Sequence, residues 1–297
     1  MAESLIDQII RRQTWLEKVG DVLQSAVGGF YGALGRPGRA LKNLLHGTTL
    51  LGHPLHPAVT DIPIGAWAVG VVADYVAHFT NRIPTEAGDV ALAVGLAVGL
   101  LAAVTGLTDY HETAGHERRV GTAHGLTMVT VVVIDAASLV LRWLAGPTLH
   151  PLAVGLSTAG FGLVLAGAYL GGHLVFGIGT MVNHNAFAEA PEDYVGIGNS
   201  SDFPEGQMRR VMAGPMQVLA IRRNGVLHVI GNVCSHAGGP LHEGTLSGDR
   251  VTCPWHASQF RIGDGHVKGG PATFGQPLFA VRERDGSVEV KAAVPAQ

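Results

Sequence analysis

Apolar and polar positions divide the chain of 297 residues into three stretches with different periods. From Ser4 to about Leu45, the residues Leu5, Ile9, Ile10, Leu16, Val19, Val22 and Leu23 recur at helical spacing among charged positions, and Gly35, Pro37 and Gly38 break the run. Such an amphipathic helix either lies on an anionic membrane surface, with Arg36, Arg39 and Lys42 near the headgroups, or packs on the protein itself. Next come four apolar runs, at about 62–79, 88–108, 122–144 and 152–178. Each is about as long as the 17 to 25 residues that cross a hydrocarbon layer of about 30 Å. Gly95, Gly99, Gly106, Gly155, Gly162 and Gly167 inside them let helix backbones approach closely in lipid. The expectation is a bundle of four transmembrane helices, up and down, joined by connections of about eight to fourteen residues.

Beyond residue 188 the period shortens to two. Runs at 217–222, 226–231, 250–253, 259–262, 278–284 and 287–291 alternate in polarity, and Asn224-Gly225, Asp264-Gly265 and Asp285-Gly286 separate several of them as hairpin turns. An all-β antiparallel sandwich follows. The chain therefore divides into an amphipathic segment at 1–50, an α-helical membrane bundle at 51–187 and a β domain at 188–297.

Composition sharpens this division. Hydrophobic residues make up 47% and charged residues 14%, too apolar an average for an ordinary soluble protein. The excess lies almost wholly in the four runs. From Glu192 onward ten acidic side chains balance ten basic ones, and no basic recognition stretch is present, which argues against nucleic acid as a partner. Residues 1–20 carry Glu3, Asp7, Arg11, Arg12, Glu17 and Lys18 without a continuous apolar core, so no cleavable signal peptide is expected.

Lysine and arginine set the expected orientation. Arg11, Arg12, Lys18, Arg36, Arg39, Lys42, Arg118 and Arg119 fall on one side of the threaded bundle, against Arg82 and Arg142 on the other. The positive-inside rule then places both termini in the cytoplasm; the membrane expected is the plasma membrane of a bacterial cell. With a linker of about a dozen residues after the fourth run, the β domain is expected close to the cytoplasmic face of the membrane.

The chain's two cysteines both lie in the β domain, in Cys234-Ser235-His236 and Cys253-Pro254-Trp255-His256, sixteen residues apart. Two thiolates and two imidazoles arriving from separate loops suit a [2Fe-2S] cluster, one iron held by sulfur and the other by nitrogen. A zinc finger would pair its cysteines before its histidines and carry the latter on a helix. Ala237-Gly238-Gly239-Pro240 and Ala257-Ser258-Gln259-Phe260 continue the two loops, and Gly269-Gly270-Pro271-Ala272 supplies a third that shields the site. On these motifs, residues from about Tyr194 to Val294 resemble a Rieske ferredoxin domain. The resemblance implies Cys234 and Cys253 on one iron, His236 and His256 on the other. The extra cysteine pair of the respiratory cytochrome bc proteins has no counterpart here, which implies the ferredoxin and oxygenase branch and a low potential. Ser258 is a candidate donor to a bridging sulfide.

A second constellation lies in the membrane part. His53, His56 and Asp61 precede the first run, Asp109, His111 and His116 follow the second, His124 opens the third, and His173 and His184 close the fourth. Threading puts all of them at the cytoplasmic end, while the opposite end shows only His78 and His150. Imidazoles on facing helices hold b-type haem, and His56, His124 and His173 are the candidates for a haem or quinone site. The plainer alternative is histidines wetted at helix ends. Asp74 and Asp135, within the first and third runs, are expected to hydrogen-bond to each other or to carry a proton. The stretch from His53 to Trp67, with Gly106-Leu107-Thr108-Asp109-Tyr110 and Ala123-His124-Gly125, resembles an uncharacterised bacterial family of four-helix membrane domains opening with His-Pro-Leu-His-Pro, over about residues 50–187.

The expected function is a membrane-anchored one-electron transfer protein, exchanging electrons with a redox partner protein, quinone or haem at the membrane. The alternatives are an anchored redox sensor or interaction module, and a Rieske-type oxygenase using a membrane metal site.

Overall fold

The computed structural model describes residues 5–48, 51–80, 82–144 and 146–293. They form two compact units, Met1–Arg39 with Leu55–Thr180, and Ala40–Pro54 with Met181–Gln297. This partition differs from boundaries at 50/51 and 187/188: residues 40–54 group with the β unit.

In the first unit, α1 (Leu5–Arg11) and α2 (Trp15–Ala33) precede four long helices: α4 (Leu55–Thr80), α5 (Glu86–Tyr110), α6 (Gly115–Leu144) and α7 (Gly146–Gly172), the last continued by a π-helical turn at His173–Ile178. A further helix, α3 (Gly35–His46), bridges the division. The four long helices are long and apolar enough to cross a membrane. All four start before the apolar runs, and α4 and α5 also end beyond them, which leaves four or five residues between α4, α5 and α6 rather than eight or more.

Polarity in this unit is inverted relative to a soluble bundle. Val69, Val72, Phe79, Val90, Leu100, Val129, Val133 and Leu165 face outward, while Asp74, Thr105, Thr108, Asp135, Ser138, Arg142 and Ser157 are buried. Apolar surface facing outward is stable against lipid, and polar groups then turn inward to find partners. Glycine makes the contacts close: the Trp67 indole lies against Gly95 and Gly99, and Met128 against Gly167.

The bundle is built from two similar hairpins, α4–α5 and α6–α7. Three pairs of side chains on α4 and α6, each separated by 68 positions, occupy matching places: His56 and His124, Trp67 and Asp135, Asp74 and Arg142. Their supports on α5 and α7 match as well, with Gly95 beneath Trp67 and Gly160 beneath Asp135, then Gly106 beneath His56 and Gly171 beneath His124. The members of each pair meet or face one cavity across the middle of the bundle. Matched spacing of this kind is what two parallel copies of one helical hairpin would give.

The N-terminal helices pack on this bundle. Ile10 and Leu16 are buried with Val120 and Leu170, and the Tyr31 hydroxyl lies 2.6 Å from that of Thr108. Gln24 Nε2 donates to the carbonyl of Thr113 at 2.8 Å, and Arg118 pairs with Asp21 at 2.8 Å. Leu5, Ile9, Trp15, Val22 and Phe30 stay exposed on the other face. The helix thus seats one face on the protein and keeps a second apolar face outward.

The second unit holds ten strands in three antiparallel sheets. β1 (Val195–Asn199), β10 (Ser287–Ala292) and β9 (Phe279–Arg284) form the first, and β2 (Met208–Ala213), β3 (Met216–Arg223) and β4 (Val226–Gly231) the second. The third runs β5 (Thr245–Ser247), β6 (Arg250–Thr252), β7 (Gln259–Arg261) and β8 (Val267–Gly269). β3 is covered on both faces: Val218 and Ala220 enter a core with Phe203, Val229, Phe279 and Val288, while Leu219 and Ile221 enter another with Leu241, Val251, Phe260 and Ile262. Strands buried on two sides lose their alternation, which is why β3 reads as nearly continuous apolar sequence. Asn224-Gly225 and Asp285-Gly286 make the β3–β4 and β9–β10 turns with positive φ at both residues, as tight hairpins require.

Candidate metal centre and the membrane histidines

Cys234 and Cys253 close the second of these cores, 1% and 3% exposed. Each begins a loop of the same design. The Cys234 amide donates to the carbonyl of Gly239 at 2.8 Å and its carbonyl accepts from the Gly238 amide at 2.9 Å. Likewise the Cys253 amide donates to Ser258 at 2.8 Å and its carbonyl accepts from Ala257 at 3.2 Å. The fourth residue after each cysteine takes positive φ, 79° at Gly238 and 59° at Ala257. The turn curls backbone N–H groups toward sulfur: those of His236 and Ala237 reach Cys234, those of Trp255 and His256 reach Cys253.

The two thiols are within hydrogen-bonding reach of each other. Accepting from Cys234 pulls the Cys253 thiol down to about 6, helped by the Trp255 and His256 amides and opposed by burial. Holding the shared proton, together with burial, pushes the Cys234 thiol up. At both sulfurs the backbone amides favour thiolate while burial opposes it. Gly239 gives the pocket its clearance, since a β-carbon there would stand 2.8 Å from Cys253 Sγ and 3.1 Å from the Trp255 ring.

His236 and His256 stand beside this sulfur pair, half-buried, with ring centroids 5.0 Å apart and planes at 81°. His256 Nδ1 is buried without a hydrogen-bond partner. Among the described residues no three His, Cys, Asp or Glu groups converge on a single-ion site. The donors form a sulfur pair and an imidazole pair, as two irons bridged by sulfide require. These residues fit a [2Fe-2S] cluster: Cys234 and Cys253 would hold the inner iron, His236 and His256 the outer one.

A third loop covers the site. Ser235 Oγ donates to the carbonyl of Phe274 at 2.6 Å, and Ser258 Oγ accepts from the Ala272 amide at 3.0 Å. The Ser258 hydroxyl hydrogen therefore remains to be given elsewhere. The segment after Arg39 supports this loop from behind: the Gly270 amide donates to Asn43 Oδ1 at 3.0 Å, and Thr48 Oγ1 donates to the carbonyl of Ala272 at 3.1 Å. Nothing in the amphipathic pattern of residues 1–50 signalled that role, because its partners lie more than two hundred residues away.

The membrane histidines do not form one cluster. His53 and His184 belong to the β unit: the His53 ring lies 6.5 Å from Phe274, and the His184 amide donates to the carbonyl of Ser235 at 3.1 Å. His116 and His173 both place Nε2 on Asp7 Oδ1, at 2.6 and 2.8 Å. The π-helical turn that begins at His173 is the local change that aims this ring. His173 thus clamps α1 and does not join His56 and His124. His111 packs against Gly28 of α2, and Asp61 is exposed.

His56 and His124 do meet, with ring centroids 6.3 Å apart and planes at 79°. The expected Asp74–Asp135 pair is not formed. Asp74 is taken by Arg142, whose Nη1 and Nη2 donate to its two oxygens at 2.8 and 2.6 Å. Both oxygens of Asp135 are buried with no hydrogen-bond partner. A guanidinium presents a planar fork to a carboxylate and outcompetes a second acid.

Comparison with known proteins agrees with this division. Residues 193–289 match the family described as the Rieske [2Fe-2S] domain, and residues 52–184 the family described as predicted membrane protein, DUF2231. Human apoptosis-inducing factor 3 is 37% identical over 109 residues, 36% of this chain and 18% of that protein. Ferredoxin CarAc of Metapseudomonas resinovorans is 34% identical over 92 residues, 31% of this chain and 86% of the ferredoxin. The ferredoxin component of biphenyl 2,3-dioxygenase from Rhodococcus jostii is 34% identical over 86 residues, 29% of this chain and 80% of that component. The chain spans less than a fifth of the length of the first of these relatives. Through residues 193–289 the chain belongs to the Rieske [2Fe-2S] ferredoxin family, and through residues 52–184 it carries a membrane domain of the DUF2231 family.

Proposed function

We propose that this protein is a membrane-anchored one-electron carrier, its Rieske domain on the cytoplasmic side of a bacterial plasma membrane. It exchanges electrons with a redox partner protein, quinone or haem at that membrane. The carrying observation is the asymmetry of the four donors: the sulfur pair is buried and the imidazole pair is at the surface. When bound, the cluster takes up and returns one electron. The backbone amides at each sulfur stabilise negative charge there, the three loops exclude water from the sulfur side, and the half-exposed edges of His236 and His256 form the short path to a partner. The likeness to ferredoxins over most of their length supports a carrier in preference to a complete enzyme.

The test is electron paramagnetic resonance of the detergent-purified protein after dithionite reduction, followed by stopped-flow mixing of the reduced protein with a water-soluble benzoquinone and with ferricytochrome. A Rieske signal that decays within the mixing experiment supports the carrier. A signal that persists against every acceptor supports the sensor instead, and no signal removes the cluster.

A further inference from the structure

We propose that His56 and His124 hold one transition-metal centre of low net charge inside the membrane bundle, with their Nε2 atoms as its two protein ligands. The proposal deepens the reading of a membrane-side redox group and stands apart from the cluster.

Of the three inward-facing pairs matched above, this is the one in which both hairpins supply the same side chain. The other two levels hold an ion pair at Asp74 and Arg142 and unlike groups at Trp67 and Asp135. Each imidazole has the same support. His56 Nδ1 lies 2.9 Å from the carbonyl of Ala102, and His124 Nδ1 lies 2.9 Å from the carbonyl of Gly167. A carbonyl only accepts, so both Nδ1 atoms carry the hydrogen and both Nε2 atoms keep a lone pair. The Thr105 hydroxyl, 3.4 Å from His56 Nδ1, has carbonyls at 3.0 and 3.1 Å for its own hydrogen. Among the described residues neither Nε2 has a hydrogen-bond partner.

A structural role does not account for these bonds. Ala102 and Gly167 lie inside α5 and α7, where their carbonyls already accept from the amide one turn on. The imidazole rescues no orphan acceptor; the carbonyl instead fixes the imidazole's tautomer and direction, the arrangement by which proteins orient metal-binding histidines. Gly106 and Gly171, one turn along, let each ring lie flat on the neighbouring helix, since a β-carbon would come within 2.8 and 3.3 Å of it.

Two imidazoles on opposite sides of one ion, with metal–nitrogen bonds of about 2.0–2.1 Å, have centroids roughly 6.3 Å apart. The observed separation is 6.3 Å. Neutral nitrogen ligands suit iron, copper, nickel or zinc. They leave the ion's charge uncompensated, and a bare dication in lipid is costly. The centre is therefore the iron of a porphyrin, which brings its own two negative charges, or a monovalent copper ion.

The test uses the full-length protein in detergent, with pyridine haemochrome and metal content per chain measured before and after incubation with haemin or with cuprous ion. Wild type is compared with His56→Gln, His124→Gln and His173→Gln, and the Rieske resonance of each preparation reports that it has folded. About one haem or one copper per chain, lost at least tenfold in the first two variants and kept in the third, is the expected result. Wild type that takes up neither, or uptake that survives both His56→Gln and His124→Gln, overturns the proposal. Haem or copper bound without a Rieske resonance would overturn the carrier and leave this site standing.

Discussion

Arg142 Nη2 lies 2.6 Å from Asp74 Oδ2, and the two side chains, each 1% exposed, hold matching places in the two helical hairpins. The pair joins α4 to α6 across the bundle, and the guanidinium also donates to Asp89 at 2.9 Å, Ser157 at 2.9 Å and Ser138 at 3.2 Å. Removing one partner strands a buried charge, which costs about 3–5 kcal/mol. Asp74→Asn and Arg142→Met should each lower the thermal midpoint of the helical circular dichroism signal in detergent. The double variant Asp74→Leu/Arg142→Met should recover most of the loss, and a sum of the single effects would contradict the pairing.

Asp135 presents the opposite case. Its carboxylate is buried against Gly160 with no hydrogen-bond partner, and an unsatisfied buried polar group costs about 1–3 kcal/mol. Asp135→Ala should therefore leave stability unchanged or raise it in the same melting assay. A loss as large as that of Asp74→Asn would mean that the carboxyl has a partner.

Ser258 is the lever on cluster potential. Its oxygen already accepts from Ala272, so its hydrogen is available to a bridging sulfide. Loss of a hydrogen bond that favours the reduced cluster by about 1 kcal/mol lowers a one-electron potential by about 40 mV. Ser258→Ala should show that shift in a redox titration followed by electron paramagnetic resonance. Ser235→Ala, whose hydroxyl is committed to Phe274, should shift it less.

Loop clearance predicts cluster retention. Gly239→Ala puts a methyl 2.8 Å from Cys253 Sγ and should cut iron and acid-labile sulfide per chain at least severalfold. Ala257→Gly relieves a positive φ of 59° and should keep full occupancy, with stability raised by a few tenths of a kcal/mol to about 1 kcal/mol.

The β unit should weaken in acid in two steps. Burial depresses His228 below its ordinary value of 6.5, so the unfolded chain binds the proton first. Its contribution is whole above 6.5 and falls away as pH drops through the depressed value. The Arg261 guanidinium, with the His266 amide, holds Asp264 below its ordinary 3.8, so that contribution is whole above 3.8 and is lost at lower pH. Urea midpoints between pH 8 and 5 should decline in the wild type and flatten in His228→Leu, while Asp264→Asn should lower them evenly across that range and remove the further decline below about pH 4.

The sequence alone determined what depends on local period and composition. Four apolar runs, the first holding Asp74 and the third Asp135 and Arg142, must lie in lipid or in a core, and their length selects the bilayer. Asn224-Gly225 and Asp285-Gly286 dictate hairpins because few other residues accept positive φ twice in succession. The Cys-x-His and Cys-x-x-His spacings name the candidate donors, since each pair comes from one short loop. Tertiary structure decided whatever depends on which helices or loops become neighbours. His173 reads like His56 and His124, yet the π-helical turn sends it to Asp7. Asp74 and Asp135 read alike, yet only Asp74 faces Arg142. Asn43 and Thr48 carry no signal in the amphipathic pattern of residues 1–50, yet they brace the loop over the cluster. In each case the partner is distant along the chain, and only the packing of helices and sheets brings it within bonding distance.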